Sequence, residues 1–468
     1  MVNFKKNPMI LGTILLSFSG LFCRGIGFFY RLFISHAFGE EAMGIFQLTS
    51  PVLMLAFSLT CAGTQTAISR YTASCSGMKN ESLARKFLLT GCIFSLSLAL
   101  LYSTFIFFSA ENISIHVLQE ERCTNLLKIC AFSFPFSALH SCFNGYFYGK
   151  KDTKIPSFTQ IAEQIIRVGT VFFLYHFLLK QNKTPTITLT CIGMLLGETV
   201  SFFISLIYYF IFYSGKNHKN SCGHIPKLHN QPSKIHHAFH NIFHTHENYL
   251  QVFGQLFSLA LPLTFNRVIL NLLQSYEAIS IPKYLKIYGY SDKTALSIYG
   301  VLTGMALSLV LFPSTFANSF SVLLLPTVSE ASSGKKYTQV KNTIRKTIFF
   351  SLMFGFGCTA FFLISGDFCG ILLFDSMLAG TFIRQLSFLC PFLYLHTTLT
   401  SILNGLKRIK TTLFINIFSL IIRLFFTVRF IPLYGIKGYL WGLLLSELIS
   451  SFCCILALRK LLLFTRDQ

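Results

Sequence analysis

Charge is scarce in this sequence. Asp, Glu, Lys and Arg make up 12% of its 468 residues, against roughly 25% in soluble domains. Acidic residues are the rarer sign, 17 against 39 basic. Trp occurs once, and no CxxC pair stands among the 14 Cys. The shortage of charge excludes an ordinary cytosolic enzyme, and 13 Pro without a glycine period exclude collagen and low-complexity tails. Cys scattered singly through apolar runs behaves as a small hydrophobe, so neither a disulfide frame nor a zinc site is expected. GxxxxGK[ST], HExxH and GxSxG are missing too, as are carboxylates paired for glycosyl chemistry, so no nucleotide site, cofactor, metal or enzymatic activity is expected.

Apolar residues fill the space: 53% of the chain is hydrophobic, 53 residues are Phe, and mean hydropathy is +0.59. A bilayer core of ~30 Å takes about 20 apolar residues per helix. Runs of that kind fall at 9–35, 46–69, 87–108, 126–148, 157–179 and 187–213, and again at 254–281, 297–325, 347–365, 382–404, 411–430 and 438–462. The spacing therefore predicts an all-α polytopic membrane protein of about twelve spans. The first run follows Met1-Val2-Asn3-Phe4-Lys5-Lys6 without a small-residue cleavage site, and reads as an uncleaved helix. The apolar patch Phe368–Phe374 is expected to be an outer-surface helix or a re-entrant piece.

A net charge of +22 would suggest nucleic acid in a soluble chain. In a membrane chain it follows from cytoplasmic loops, which collect Lys and Arg. With both termini inside, the cytoplasmic segments hold a threefold excess of these residues over the outer loops. The expected location is a bacterial plasma membrane with both termini cytoplasmic, in contact with lipid and not with nucleic acid. Residues 214–253 form the longest polar connection, a basic linker containing His236, His237, His240, His244 and His246, with Cys222 and Glu247 nearby. No firm ligand spacing accompanies these histidines, and a solvated linker between two lobes, 1–213 and 254–468, is expected.

The two lobes repeat. Pro135-Phe136-Ser137-Ala138-Leu139-His140 in span four meets Pro391-Phe392-Leu393-Tyr394-Leu395-His396 in span ten, 256 residues later. At the same offset Ile165-Ile166-Arg167 meets Ile421-Ile422-Arg423. Glu198 in span six has its counterpart in Glu447 of span twelve. Six spans per copy is an even number, so the copies are parallel repeats about an axis along the membrane normal. Two six-helix lobes around a central cavity is an alternating-access architecture.

Ionisable residues inside spans are costly and face a cavity or a partner. Arg24 and Arg31 lie two turns apart on one face of span one, about 10 Å along the axis. Arg267, beside Asn266, lies in span seven, the counterpart of span one. Three guanidiniums on one cavity would bind a diphosphate through planar forks that never lose their charge. Arg167, Arg423, Glu198 and Glu447 are expected as structural charge pairs within the lobes, with Glu163 one turn before Arg167 as a nearer partner. Glu277 reads either as a lone carboxylate for ion coupling or as an outer-interface residue. Pro262 and Pro313 free backbone carbonyls in spans seven and eight.

The stretch Gly20-Leu21-Phe22-Cys23-Arg24-Gly25-Ile26-Gly27-Phe28-Phe29-Tyr30-Arg31 and the segments 38–47, 58–70, 302–306 and 325–330 resemble the stage V sporulation protein B family. That family lies within the multidrug/oligosaccharidyl-lipid/polysaccharide exporter superfamily. The resemblance covers essentially the whole chain. It implies two six-helix lobes forming a V-shaped cavity, and movement of undecaprenyl-diphosphate-linked sugars across the membrane. Related lipid II flippases carry Arg-x-x-Gly-Phe-x-Arg in span one. Arg24 to Phe28 matches its first five positions, and the second Arg comes one residue late, at Arg31. Those flippases also use cavity Arg residues in spans two and eight, where this sequence has none. Sporulation members supply precursor for spore cortex peptidoglycan.

The leading expectation is thus a flippase for a lipid-linked oligosaccharide, lipid II above all, driven by membrane potential or a Na⁺ or H⁺ gradient. Other wall-synthesis proteins are its expected company. A drug/cation antiporter of the same superfamily would need a carboxylate-lined cavity. A non-transporting scaffold would tolerate charge reversal at Arg24, and a membrane transferase would need an acidic or His pair at one membrane face.

Overall fold

The computed structural model describes residues 8–78, 80–214, 249–314, 337–406 and 408–464. Among these the chain is helical throughout, with short turns between helices and no strands. In chain order the helices are α1 (Pro8–Phe57), α2 (Gly63–Gly77), α3 (Glu81–Asn112), α4 (Cys123–Ala131), α5 (Phe134–Gly149), α6 (Lys154–Lys180) and α7 (Thr188–Tyr209). There follow α8 (Tyr249–Tyr288), α9 (Asp292–Gly300), α10 (Leu307–Leu311), α11 (Tyr337–Phe374), α12 (Met377–Leu386), α13 (Cys390–Gly405), α14 (Ile409–Tyr434) and α15 (Ile436–Phe464). The His-rich stretch 215–248 and the segment 325–330 lie outside the described residues.

Among the described residues ten helices are long and apolar enough to cross a membrane, or eleven when the pair α4 and α5, bent by 45°, counts as one span. The first of them, Leu15–Gly77, runs for 63 residues. That is about 95 Å if straight, three bilayer cores. It breaks at Gly39, whose φ of 82° no β-substituted residue adopts comfortably. Dividing the run there gives spans one and two, and twelve segments in all.

The expected repeat has a structural counterpart. Helices α5 and α13 are both 16 residues long, both have Pro at the second position, and both follow a short helix. Polar side chains set the ends of several helices. Asn80 accepts from Leu83 N at 3.1 Å to start α3, Ser291 accepts from Thr294 N at 3.3 Å to start α9, and Ser376 accepts from Ala379 N at 3.2 Å to start α12.

Phe368–Phe374 is not a surface or re-entrant piece. It forms the last turns of α11, which runs unbroken to Phe374. Close packing on the following helix holds it there: a β-carbon on Gly370 would lie 2.2 Å from Gly380 N, and Arg384 pairs with Asp367 at 2.5 Å.

The core sits mainly at the end of the bundle that carries Gly39. Ile34, Met43, Leu48, Leu285, Leu296, Val301, Met305 and Ile383, from both halves of the chain, form one continuous buried cluster there. A second cluster joins α2, α3 and α5 to Val252, Leu256 and Ala260 of α8. The last residues of the expected linker, 249–253, are therefore helical, and α8 begins against the first half of the chain. Further along, Asn271 donates to Met54 O at 3.1 Å and Ser275 to Pro51 O at 3.4 Å.

Candidate functional site

Beneath the large cluster lies a cavity of about 780 Å³. Arg24 and Arg31 line it from α1, at the helical spacing that places them on one face. Neither guanidinium makes a hydrogen bond or ion pair among the described residues, and both are exposed. A third guanidinium, Arg167 of α6, lines the same cavity. Gln160 and Gln164 precede it on its own face at intervals of seven and three residues.

Helices α1 and α6 meet closely enough to bring these groups together. Ser19 donates to Gln160 Oε1 at 3.2 Å, and a β-carbon on Gly27 would lie 3.4 Å from Gln164 Nε2. Hydroxyls and an amide complete the polar wall: Thr49, Ser50 and Gln47 from span two, Thr190 from α7, Ser308 from α10. The Tyr30 hydroxyl is buried without a hydrogen-bond partner. Phe28, Leu53 and Phe312 supply apolar wall, and among the described residues no carboxylate belongs to the lining.

Arg267 and Asn266 do not join this constellation. Both are exposed on α8 and neither lines the cavity. The repeat placed Arg267 opposite span one, but α8 turns its Asn271–Ser275 face toward span two instead. The third cationic group of the cavity is Arg167, which the sequence reading assigned to structure alone. The signal was present as the 160, 164, 167 spacing.

Glu163 pairs with Arg167 one turn away along α6. Arg423 does not pair with Glu447 as the repeat suggested. It binds Glu277 of α8, at 2.7 Å from Nη2 and 2.8 Å from Nε, and the Tyr439 hydroxyl donates to the same carboxylate at 3.0 Å. Glu277 is 3% exposed, so it is neither a lone carboxylate nor an interface residue. Glu447 instead meets His396 at 2.9 Å, and Glu198 lies 3.7 Å from His140. His140, Glu163 and Glu198 each offer an atom within 4.8 Å of the others. Arg167 pairs with one oxygen of Glu163, so this cluster combines a guanidinium with two carboxylates and an imidazole.

Above the cavity the two halves close on each other. Glu40 accepts from Ser297 at 2.6 Å and from Ser376, and Ser35 donates to Met305 Sδ at 3.5 Å. A second cavity of about 730 Å³, between the α8–α9 turn and helices α14 and α15, is lined mostly by aromatic rings, with Lys437 as its cation. One ammonium among Tyr, Phe and Trp rings is a poor match for a diphosphate. The Arg cavity is the candidate site.

Comparison with known proteins agrees with this architecture. The family model described as polysaccharide biosynthesis protein matches residues 10–332, and a second, MatE, matches 268–428. Stage V sporulation protein B of Bacillus subtilis is 26% identical over 92% of this chain and 80% of its own length. The lipid II flippase MurJ of the same organism is 20% identical over 95% of this chain and 81% of its own. A multidrug resistance MATE family transporter of the MOP superfamily, solved in an inward-facing conformation, superposes with a TM-score of 0.69 at 13% identity, over 96% of each chain. With more than half of its length matched by that model, the chain belongs to the polysaccharide biosynthesis protein family, a multi-pass membrane protein with the fold of the exporter superfamily.

Proposed function

We propose that the chain is a flippase for a diphosphate-linked wall precursor, lipid II above all, working by alternating access. The observation that carries this reading is the cavity: Arg24, Arg31 and Arg167 on its wall, and no carboxylate among the described residues that line it. A diphosphate takes planar, permanently charged forks. Amide and hydroxyl groups beside them suit the hydroxyls of the attached sugars. A cationic drug would meet only repulsion there, which weighs against the antiporter reading.

The relative named as a lipid II flippase supports the same class of cargo. In an orientation with both termini cytoplasmic, the sealed end faces outward and this conformer is closed to the outside. The prenyl tail stays in lipid while the head group crosses. Because the sequence carries no nucleotide motif, the driving force in this reading is membrane potential or a cation gradient. Wall-synthesis proteins that consume the precursor are the natural partners.

The test is lipid II translocation in cells stripped of their own flippases, with surface lipid II read by an impermeant probe. Rescue by the native chain, lost in an Arg24→Ala, Arg31→Ala variant of equal abundance, supports the reading. Absence of rescue by a well-expressed native chain overturns lipid II as the cargo. Rescue that survives in the variant overturns the site.

A further inference from the structure

Two clusters of charged side chains inside the bundle repeat between the halves of the chain. In the first half His140 of α5 faces Glu198 of α7, Nδ1 to Oε2 at 3.7 Å. In the second, His396 of α13 faces Glu447 of α15, Nδ1 to Oε2 at 2.9 Å. Each His stands five residues after the Pro that opens its helix. Beside each pair are one guanidinium and one further carboxylate. The first half draws both from α6, Arg167 and Glu163. The second draws Arg423 from α14 and Glu277 from α8. At the repeat position of Glu163 stands Ser419, so the missing carboxylate has been replaced from another helix.

The contents agree although the routes differ: one His, one Arg and two Glu in each cluster. With His neutral, each carries a net charge of −1, and one added positive charge closes it. Uncompensated charge inside a membrane span is costly. His is the side chain that takes up a proton near neutral pH.

We propose that the two clusters are proton sites, one per lobe, where the His–Glu couple takes up and releases the proton that drives lobe movement. The proposal rests on the transporter reading above and names its coupling ion. Unmet polar atoms mark both places. His396 Nε2 is buried without a partner, and so is Asn144 Oδ1. Asn144 Nδ2 lies 3.0 Å from His140 Nε2. When a proton arrives on that nitrogen, a half-turn of the Asn144 amide presents the idle oxygen to accept it. The other groups facing His140 and Glu198 are Thr159, 3.4 Å from His140 Nε2, and Cys61 of span two. Those facing Glu447 are Arg423 and Cys454.

The test uses the full chain in lipid nanodiscs, labelled with ¹⁵N-histidine and free of lipid-linked substrate, titrated from about pH 5 to 8. Among the signals of the chain's 13 His, one that titrates is expected to be lost in His140→Gln and another in His396→Gln. Replacing the partner by Glu198→Gln or Glu447→Gln should move the signal of that His and leave the signal of the other in place. Histidines that never titrate, or midpoints unmoved by the Gln changes, overturn the proposal. A midpoint that shifts when Na⁺ replaces K⁺ at constant ionic strength also overturns it, in favour of a sodium site. If the Gln variants fail to accumulate, His140→Asn and His396→Asn assign the same signals. No substrate is present, so failure here leaves the Arg cavity standing, and failure of the flipping assay leaves the proton sites standing.

Discussion

Gly44 and Gly300, from opposite halves of the chain, bring two helix backbones into direct contact. A β-carbon on Gly44 would lie 2.2 Å from Leu296 O, and one on Gly300 2.4 Å from Glu40 O. Neither atom that would be struck is a flexible side chain, so the helices themselves would have to separate. Overpacking costs about 1–3 kcal/mol, enough to raise an open population roughly tenfold. Gly44→Ala or Gly300→Ala should therefore speed labelling of a Ser35→Cys reporter by an impermeant thiol reagent. Ser35 is 5% exposed and lies in the sealing layer. An unchanged labelling rate would mean that this contact does not hold the end closed.

Arg24 and Arg31 should behave as binding groups rather than structural ones. Each lacks a partner among the described residues, so removal strands no counter-charge there. A hydrogen bond to a charged group contributes about 1.5–3 kcal/mol. Each Ala substitution should weaken binding of a short-chain diphosphate lipid by roughly 10- to 100-fold, while thermal stability stays near native. Arg24→Lys keeps the charge but loses the fork, and should fall between. Isothermal titration with the monophosphate analogue beside the diphosphate would show whether the fork pair reads both phosphates.

Arg167→Ala should differ in kind. It removes a cavity charge and also strands Glu163, its ion-pair partner on the same helix. Both diphosphate binding and thermal stability should drop, and Arg167→Ala with Glu163→Ala should recover the stability but not the binding. Recovery of both would place Arg167 outside the site.

The Glu277–Arg423 pair offers a stability test. Breaking a buried pair from one side costs about 3–5 kcal/mol, because an uncompensated charge stays behind. Glu277→Ala alone should lower the unfolding midpoint in detergent more than Glu277→Leu combined with Arg423→Leu. Tyr439→Phe removes only the third hydrogen bond and should cost about 1 kcal/mol. Equal loss in the single and double variants would show that the two charges are not coupled.

What the sequence made legible follows from periodicity and length. Apolar runs of bilayer length located the spans, because a helix in lipid satisfies its backbone within itself and needs only an apolar surface. The Arg24–Arg31 spacing put two guanidiniums on one face, and the repeat identified the helices that correspond. The repeat misled wherever a contact came from a helix that does not obey it. Arg423 found Glu277 on α8 rather than Glu447, and Arg267 turned away from the cavity, since pairwise packing of helices distant in sequence leaves no periodic trace. Phe368–Phe374 looked separate because Gly366, Asp367 and Gly370 interrupt the apolar pattern. Those residues are small or paired because α12 presses on them there.

Helix α8 carries a consequence for how this protein is made. Its first turns complete the core of α2, α3 and α5, and its later carboxylate closes the charge on α14. A ribosome that has released only residues 1–213 has exposed a half-built bundle, with Ile68 and Phe87 awaiting Leu256. A gene cut at the long linker should therefore yield fragments that each need the other present to escape proteolysis.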